Sequence, residues 1–138
     1  MQNKTFPAVM DLLEPMMEFI RSEAVRQGFS KKDVDQINLA CEEIAVNVIN
    51  YAYPGAEGKL EISLGENDDG MIITVSDSGI AYDPLKREDP DIALPVEERP
   101  IGGLGIFMVK RIMEEVRYAR ENDRNVLTMV KHKKVNSE

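Results

Sequence analysis

Between Ser30 and Pro54 runs the segment that most restricts what this chain can become. Apolar residues recur there at helical spacing, with Ile37, Cys41, Ile44, Val48 and Ala52 on one side and Leu39, Val46 and Ile49 covering much of the remainder. A helix apolar on that many sides is largely buried. Yet Glu43, Asn47 and Asn50 fall within an arc of roughly 60° on its surface, one above another. A strip facing plain solvent would carry Lys, Arg or Gln, as in "MEEVRYAR" further along. One carboxylate with two short amides reads instead as the wall of a pocket.

This helix is sharply bounded. Ser30 can cap it with Asp33 three residues on, Phe29 can staple to Val34, and Pro54 with Gly55 stops it. Upstream, "DLLEPMMEFIRSEAVRQG" predicts a helix with Pro15 near its first turn and Gly28 just past its end. The short segment before it suits an edge strand. "KLEISLG" and "MIITVSDSG" flank the turn-rich "ENDDG" and predict a hairpin. From Ile80 to Ile101 periodicity is lost in a stretch with four prolines, and a loop of that length inside a domain is usually functional or mobile. Helical spacing returns through Leu104, Met108, Ile112 and Val116. "VRYAR" and "NVLTMVKH" then predict a second hairpin around "ENDRN". The order implies an α+β fold, a two-layer sandwich with helices on one face of a mixed, mostly antiparallel sheet. One domain is expected over residues 1–133, with a flexible tail at 134–138.

With 138 residues the chain can bury one core without staples. Its formal net charge of -8 argues against a nucleic-acid partner, for which only the short "KHKK" offers basic residues. Cys41 is the only cysteine, so a disulfide within the chain and a cysteine-rich metal site are both excluded. Its place in the apolar stripe makes it a core residue. Asp11, Glu14, Pro15 and Glu18 interrupt the N-terminal apolar residues, so neither a signal peptide nor a membrane span is expected, and the cytoplasm is the expected compartment. The eight methionines read as core filler.

Three motifs carry possible chemistry. Glu43 and Asn47 lie four apart on one helix face, within reach of one small polar object such as a hydrated magnesium ion. On the pair alone, a hydrogen bond that satisfies two polar groups is the first reading. "DSGIAYDP" ends a strand with Asp77, a carboxylate able to accept from an exocyclic amino group such as that of adenine, and Gly79 lets backbone approach a flat ligand. An ordinary Asp-x-Gly turn has the same appearance. "GGLG", residues 102 to 105, opens a helix where free N–H groups and the dipole attract phosphate. It is neither a Walker loop, since Ile106 and Phe107 stand where Lys and Ser or Thr belong, nor a dinucleotide loop, since Met108 takes the third glycine's place and "EERP" is no buried strand. His132 among lysines reads as exposed, and neither a nucleophilic triad nor a cluster of metal ligands stands out.

Taken in order, "LACEEIAVNVINYAY", "VSDSGIAYDP" and "GGLGIFMVKRIMEEVRY" resemble the GHKL, or Bergerat-fold, ATPases and kinases. Within that superfamily the chain is most similar to the stand-alone serine/threonine kinases that act as bacterial anti-sigma factors. The resemblance runs from about "FPAVMDLLEP" to "LTMVKHK" and implies ATP and Mg2+ as cofactors. It implies roles residue by residue: Glu43 as general base, Asn47 as the magnesium ligand, and Asp77 with Gly79 as the adenine site. Thr128 is implied as a helper through a water. Asn50 belongs to the same nucleotide-facing strip. Gly102, Gly103, Leu104 and Gly105 correspond to the lid hinge, Arg99 to a basic lid position, and residues 83 to 99 to the lid. Ala81 stands where many relatives have a second glycine, and Tyr51 where they often have histidine or arginine. The implied partners are an anti-sigma factor antagonist of the STAS type, a sigma factor and a second copy of the chain. A histidine kinase is disfavoured by the absence of a preceding dimerisation hairpin, and gyrase- or Hsp90-like ATPases by length. The alternative from another class is a non-catalytic module in which ATP only switches partner binding.

Overall fold

Two local signals set the start of the helical layer. In a computed structural model, which describes residues 1–86 and 103–133, the edge strand β1 (Gln2–Pro7) leads through one 3-10 turn into α1 (Leu13–Arg26). That helix ends in a Schellman arrangement: Gly28 takes φ +92°, its N–H donates to Val25 O at 3.0 Å, and Phe29 N–H donates to Ala24 O at 3.2 Å. Helix α2 (Lys31–Tyr51) begins almost at once, because Ser30 Oγ accepts from Asp33 N–H at 3.2 Å. Only half of the reciprocal capping pair forms, since Asp33 Oδ1 is buried without a hydrogen-bond partner. Phe29 and Val34, the staple residues, are both buried in the core.

Turn chemistry sets the strands in register. β2 (Lys59–Glu66) and β3 (Gly70–Asp77) close around Asn67, whose Oδ1 accepts from Asp69 and Gly70 N–H at 2.9 Å each. After α3 (Gly103–Ile112), β4 (Glu115–Glu121) and β5 (Arg124–His132) are joined by Asn122 and Asp123, with φ 51° and 62°. That is the two-residue left-handed turn that favours these residue types. Among the described residues five strands lie in the order β1-β2-β3-β5-β4, and every pairing is antiparallel.

Alternation then selects the face that is covered. Leu60, Ile62 and Leu64 of β2, Met71, Ile73 and Val75 of β3, and Leu127 and Met129 of β5 are buried in one core. Met16 and Ile20 of α1, Ile37, Cys41 and Ile44 of α2, and Ile106 and Val109 of α3 close over them. The result is the α+β sandwich with helices on one face. No helix among the described residues is long and apolar enough to cross a membrane.

Two expectations change. The buried side of α3 runs through Ile106, Val109 and on to Met113, while Met108 and Ile112 are only half-buried and Val116 lies in β4. Helix α3 is apolar on two sides, so spacing alone does not choose between them. Leu39 of α2 is 47% exposed, so the burial of α2 is narrower than its apolar circumference suggests.

The edge strand is tied down by one buried carboxylate. Glu23 accepts from Gln2 Nε2 at 2.9 Å, from Arg26 at 2.8 and 2.7 Å, and from Gln27 at 2.8 Å, while Gln27 also donates to Gly65 O. The Arg26 guanidinium, against the opposing effect of burial and aided by Gln27, holds this carboxyl at about 2. A carboxyl held below its ordinary value contributes stability that is complete above that value and is lost as pH falls toward 2. Stability against urea should therefore decline on acidification from about pH 5 more steeply in the wild type than in Glu23→Gln, and parallel curves would contradict this role. Ser30→Ala should cost about 1 kcal/mol in the same assay through the lost α2 cap, with an unchanged midpoint counting against it.

Candidate functional site

The polar strip of α2 faces the end of the sheet at which β3 finishes. A narrow slot opens there. Val75 and Leu127 line its sheet side, Ile44, Val48 and Ala52 its α2 side, and Tyr82, Pro84 and Tyr118 complete the lining. Asn47, Asp77 and Asn125 supply the polar groups. An apolar slot with a few convergent polar groups is the usual form of a small-molecule site.

Asp77 is 4% exposed. Its Oδ1 accepts from Gly79 N–H at 2.8 Å and from Asn125 Nδ2 at 2.9 Å. The Asp-x-Gly loop also sits directly on the end of α2: Ile80 N–H donates to Ala52 O at 2.9 Å, and a methyl group added at Gly79 would fall 2.2 Å from that same oxygen. Only glycine allows this approach. Ala81 is exposed, lies outside the slot's lining and does not have positive φ, so alanine meets no backbone conflict there.

One turn before Asn47, Glu43 lies against the start of α3. Asn47 Nδ2 donates to Glu43 Oε2 at 3.2 Å, which leaves the amide oxygen of Asn47 for another partner. A methyl group added at Gly105 would fall 2.2 Å from the Glu43 carboxyl carbon. The carboxylate therefore rests on the third residue of α3, at the positive end of the helix dipole. No group of three or more His, Cys, Asp or Glu able to hold a metal ion occurs among the described residues.

The structure thus brings together Asn47 and Asp77 in one slot, Gly79 beneath it, and Glu43 with Gly105 beside it. Asn50 does not join them, being exposed one turn beyond Asn47 and absent from the lining. Thr128 does not either. It pairs with Thr74 and, by strand alternation, points away from the side on which Leu127 and Met129 are buried. The polar residue of β5 that lines the slot is Asn125, the cross-strand partner of Asp77. Gly103 and Leu104 belong to α3, whereas Arg99, Gly102 and most of the expected lid lie outside the described residues. Sequence reasoning also missed Arg120, whose guanidinium donates to Gly79 O at 2.8 Å.

The sequence model of the histidine kinase-like ATPase domain family matches residues 6–131. The chain belongs to this family. Among its relatives, a serine-protein kinase RsbW of Bacillus cereus is 32% identical over 108 residues, which span 75% of this chain and 68% of that protein. The serine-protein kinase RsbW of Bacillus thuringiensis subsp. konkukian matches to the same extent. In three dimensions the fold resembles a crystal structure of the RsbU and RsbW domains of Rv1364c from Mycobacterium tuberculosis, with a TM-score of 0.63 and 14% identity over 96% of this chain and 33% of that one. The histidine kinase AdeS of Acinetobacter baumannii follows at a TM-score of 0.53 and 15% identity, over 96% of this chain and 68% of that one. Membership of an ATPase domain family implies use of ATP.

The two glycines separate folding from site geometry. Gly79→Ala pushes against backbone and should lower stability by about 1–3 kcal/mol in thermal denaturation. Gly105→Ala pushes only against the tip of Glu43, and its melting temperature should stay within a few degrees of the wild type. Equal losses for the two variants would contradict the geometry.

Proposed function

We propose that this chain is a serine/threonine protein kinase of the anti-sigma-factor type, which transfers the γ-phosphate of ATP to a hydroxyl of an antagonist protein. The observation that carries the reading is the convergence of Asn47 and Asp77 on one slot, with Glu43 hydrogen-bonded to Asn47 at its edge. Kinship with proteins named serine-protein kinase supports it.

Each group has a chemical task in this reading. Asp77 Oδ2 accepts from the amino group of adenine. The amide oxygen of Asn47, left over by its bond to Glu43, suits a hard cation, and with phosphate oxygens it would hold Mg2+. When bound, that ion neutralises charge between the phosphates. The N–H groups at the start of α3 face the same region and attract phosphate. Glu43 takes the proton of the attacking hydroxyl as the new P–O bond forms and ADP leaves. Phosphoryl transfer depends mainly on positioning and charge neutralisation, so this small set suffices.

The protein substrate in this reading is an anti-sigma factor antagonist of the STAS type, and a sigma factor is the partner bound when the antagonist is phosphorylated. A homodimer working in the cytoplasm completes the reading and rests on kinship alone. The rival, an ATP-binding module without transfer, drew on Ala81 and on an acidic lid; the ordinary backbone at Ala81 removes the first ground, and most of the lid lies outside the described residues.

Glu43→Ala should keep ATP affinity within a few-fold while transfer of labelled phosphate to the cognate antagonist falls by about 100-fold or more. A wild type that binds ATP yet labels no antagonist would establish the binding module instead.

A further inference from the structure

The side chain of Asn125 is 7% exposed and makes every hydrogen bond an amide can make. Its Nδ2 donates to Asp77 Oδ1 at 2.9 Å and to Ile80 O at 2.8 Å. Its Oδ1 accepts from the Tyr118 hydroxyl at 2.5 Å and from Tyr82 N–H at 3.3 Å. Only one orientation of the amide is consistent with these partners, because a flipped group would set its NH2 against the N–H of Tyr82. Together with Arg120 on Gly79 O, Asn125 suspends the loop of residues 79–82 from β4 and β5.

The consequence for Asp77 is specific. A carboxylate oxygen offers about two lone-pair positions. Those of Oδ1 are filled, one by Gly79 N–H and one by Asn125 Nδ2, whereas Oδ2 accepts no hydrogen bond from the described residues. Asp77 thus presents the slot with one free acceptor. Adenine carries one exocyclic amino group as its donor, and one acceptor matches it. Guanine carries adjacent donors, N1–H and the 2-amino group, which a carboxylate grips well only with both oxygens.

We infer that Asn125 is a positioning residue that makes the slot selective for adenine over guanine, by saturating one oxygen of Asp77 and fixing the other toward the base. The inference rests on the proposed reading of the slot as a nucleotide site. Asn125 acts through Asp77 and needs no contact with the base.

The test is calorimetric titration of the full chain with Mg-ATP and with Mg-GTP, for the wild type, Asn125→Leu and Asn125→Asp. The wild type should bind ATP roughly 100-fold more tightly than GTP. Asn125→Leu frees a lone pair of Oδ1, so ATP affinity should fall by about 10-fold and the ATP-to-GTP ratio should narrow by about 10-fold. Asn125→Asp keeps the shape and both acceptors but loses the donors and opposes a second carboxylate to Asp77, so it should narrow the ratio as well. It serves as the reading if melting shows the leucine variant to be unfolded. A folded variant that keeps the wild-type ratio would overturn the role of Asn125 while leaving the nucleotide site intact. A wild type that binds neither nucleotide would remove the nucleotide reading and this inference together.

Discussion

Burial of one stripe of α2 against the sheet is the constraint on which the rest depends. Ile37, Cys41 and Ile44 are buried in the core that α1, α2 and α3 share with the inward face of β2, β3 and β5. Once that stripe is fixed, helical geometry leaves Glu43 and Asn47 one direction to point. They face the end of β3, where Asp77 waits. Cys41 marks how dry this seam is, for burial pushes its thiol up to about 12. The site is therefore a consequence of core packing, with its polar groups carried on a rigid helix and two paired strands rather than on loops.

Close approach at two glycines completes the arrangement. At Gly79 the loop after β3 rests on the last turn of α2, and at Gly105 the start of α3 rests on the Glu43 carboxylate. Both contacts bring an element close against α2. The first presses on backbone and so belongs to the fold. The second presses on the end of a side chain and so belongs to the chemistry, because what it fixes is where the carboxylate sits.

Much of this was legible in the sequence because it depends on local rules. Ser30, Gly28 and the Asp-rich turns each act within a few residues, and each does in the structure what its type predicts. The polar strip of α2 was legible because helical period needs no tertiary information, though its end was not: Asn50 shares the arc yet lies past the slot's edge. Thr128 stands apart from the slot for a different reason. β5 offers polar residues on both faces, Asn125 on one and Thr128 on the other, and only the register with β3 decides which face meets Asp77. Counting back by two from the buried pair Leu127 and Met129 would have led to Asn125. The two-sided apolarity of α3 concealed its buried face in the same way.

The most direct measurement is an amide NMR titration with Mg-ATP. Shifts concentrated on residues 77–82, on the first turn of α3 after Gly105 and on Asn125 to Leu127, with Thr74 and Thr128 unmoved, are what a nucleotide in the slot beside α2 predicts. Perturbations centred on the open face of the sheet around Thr74 and Thr128, or none at saturating nucleotide, would contradict it.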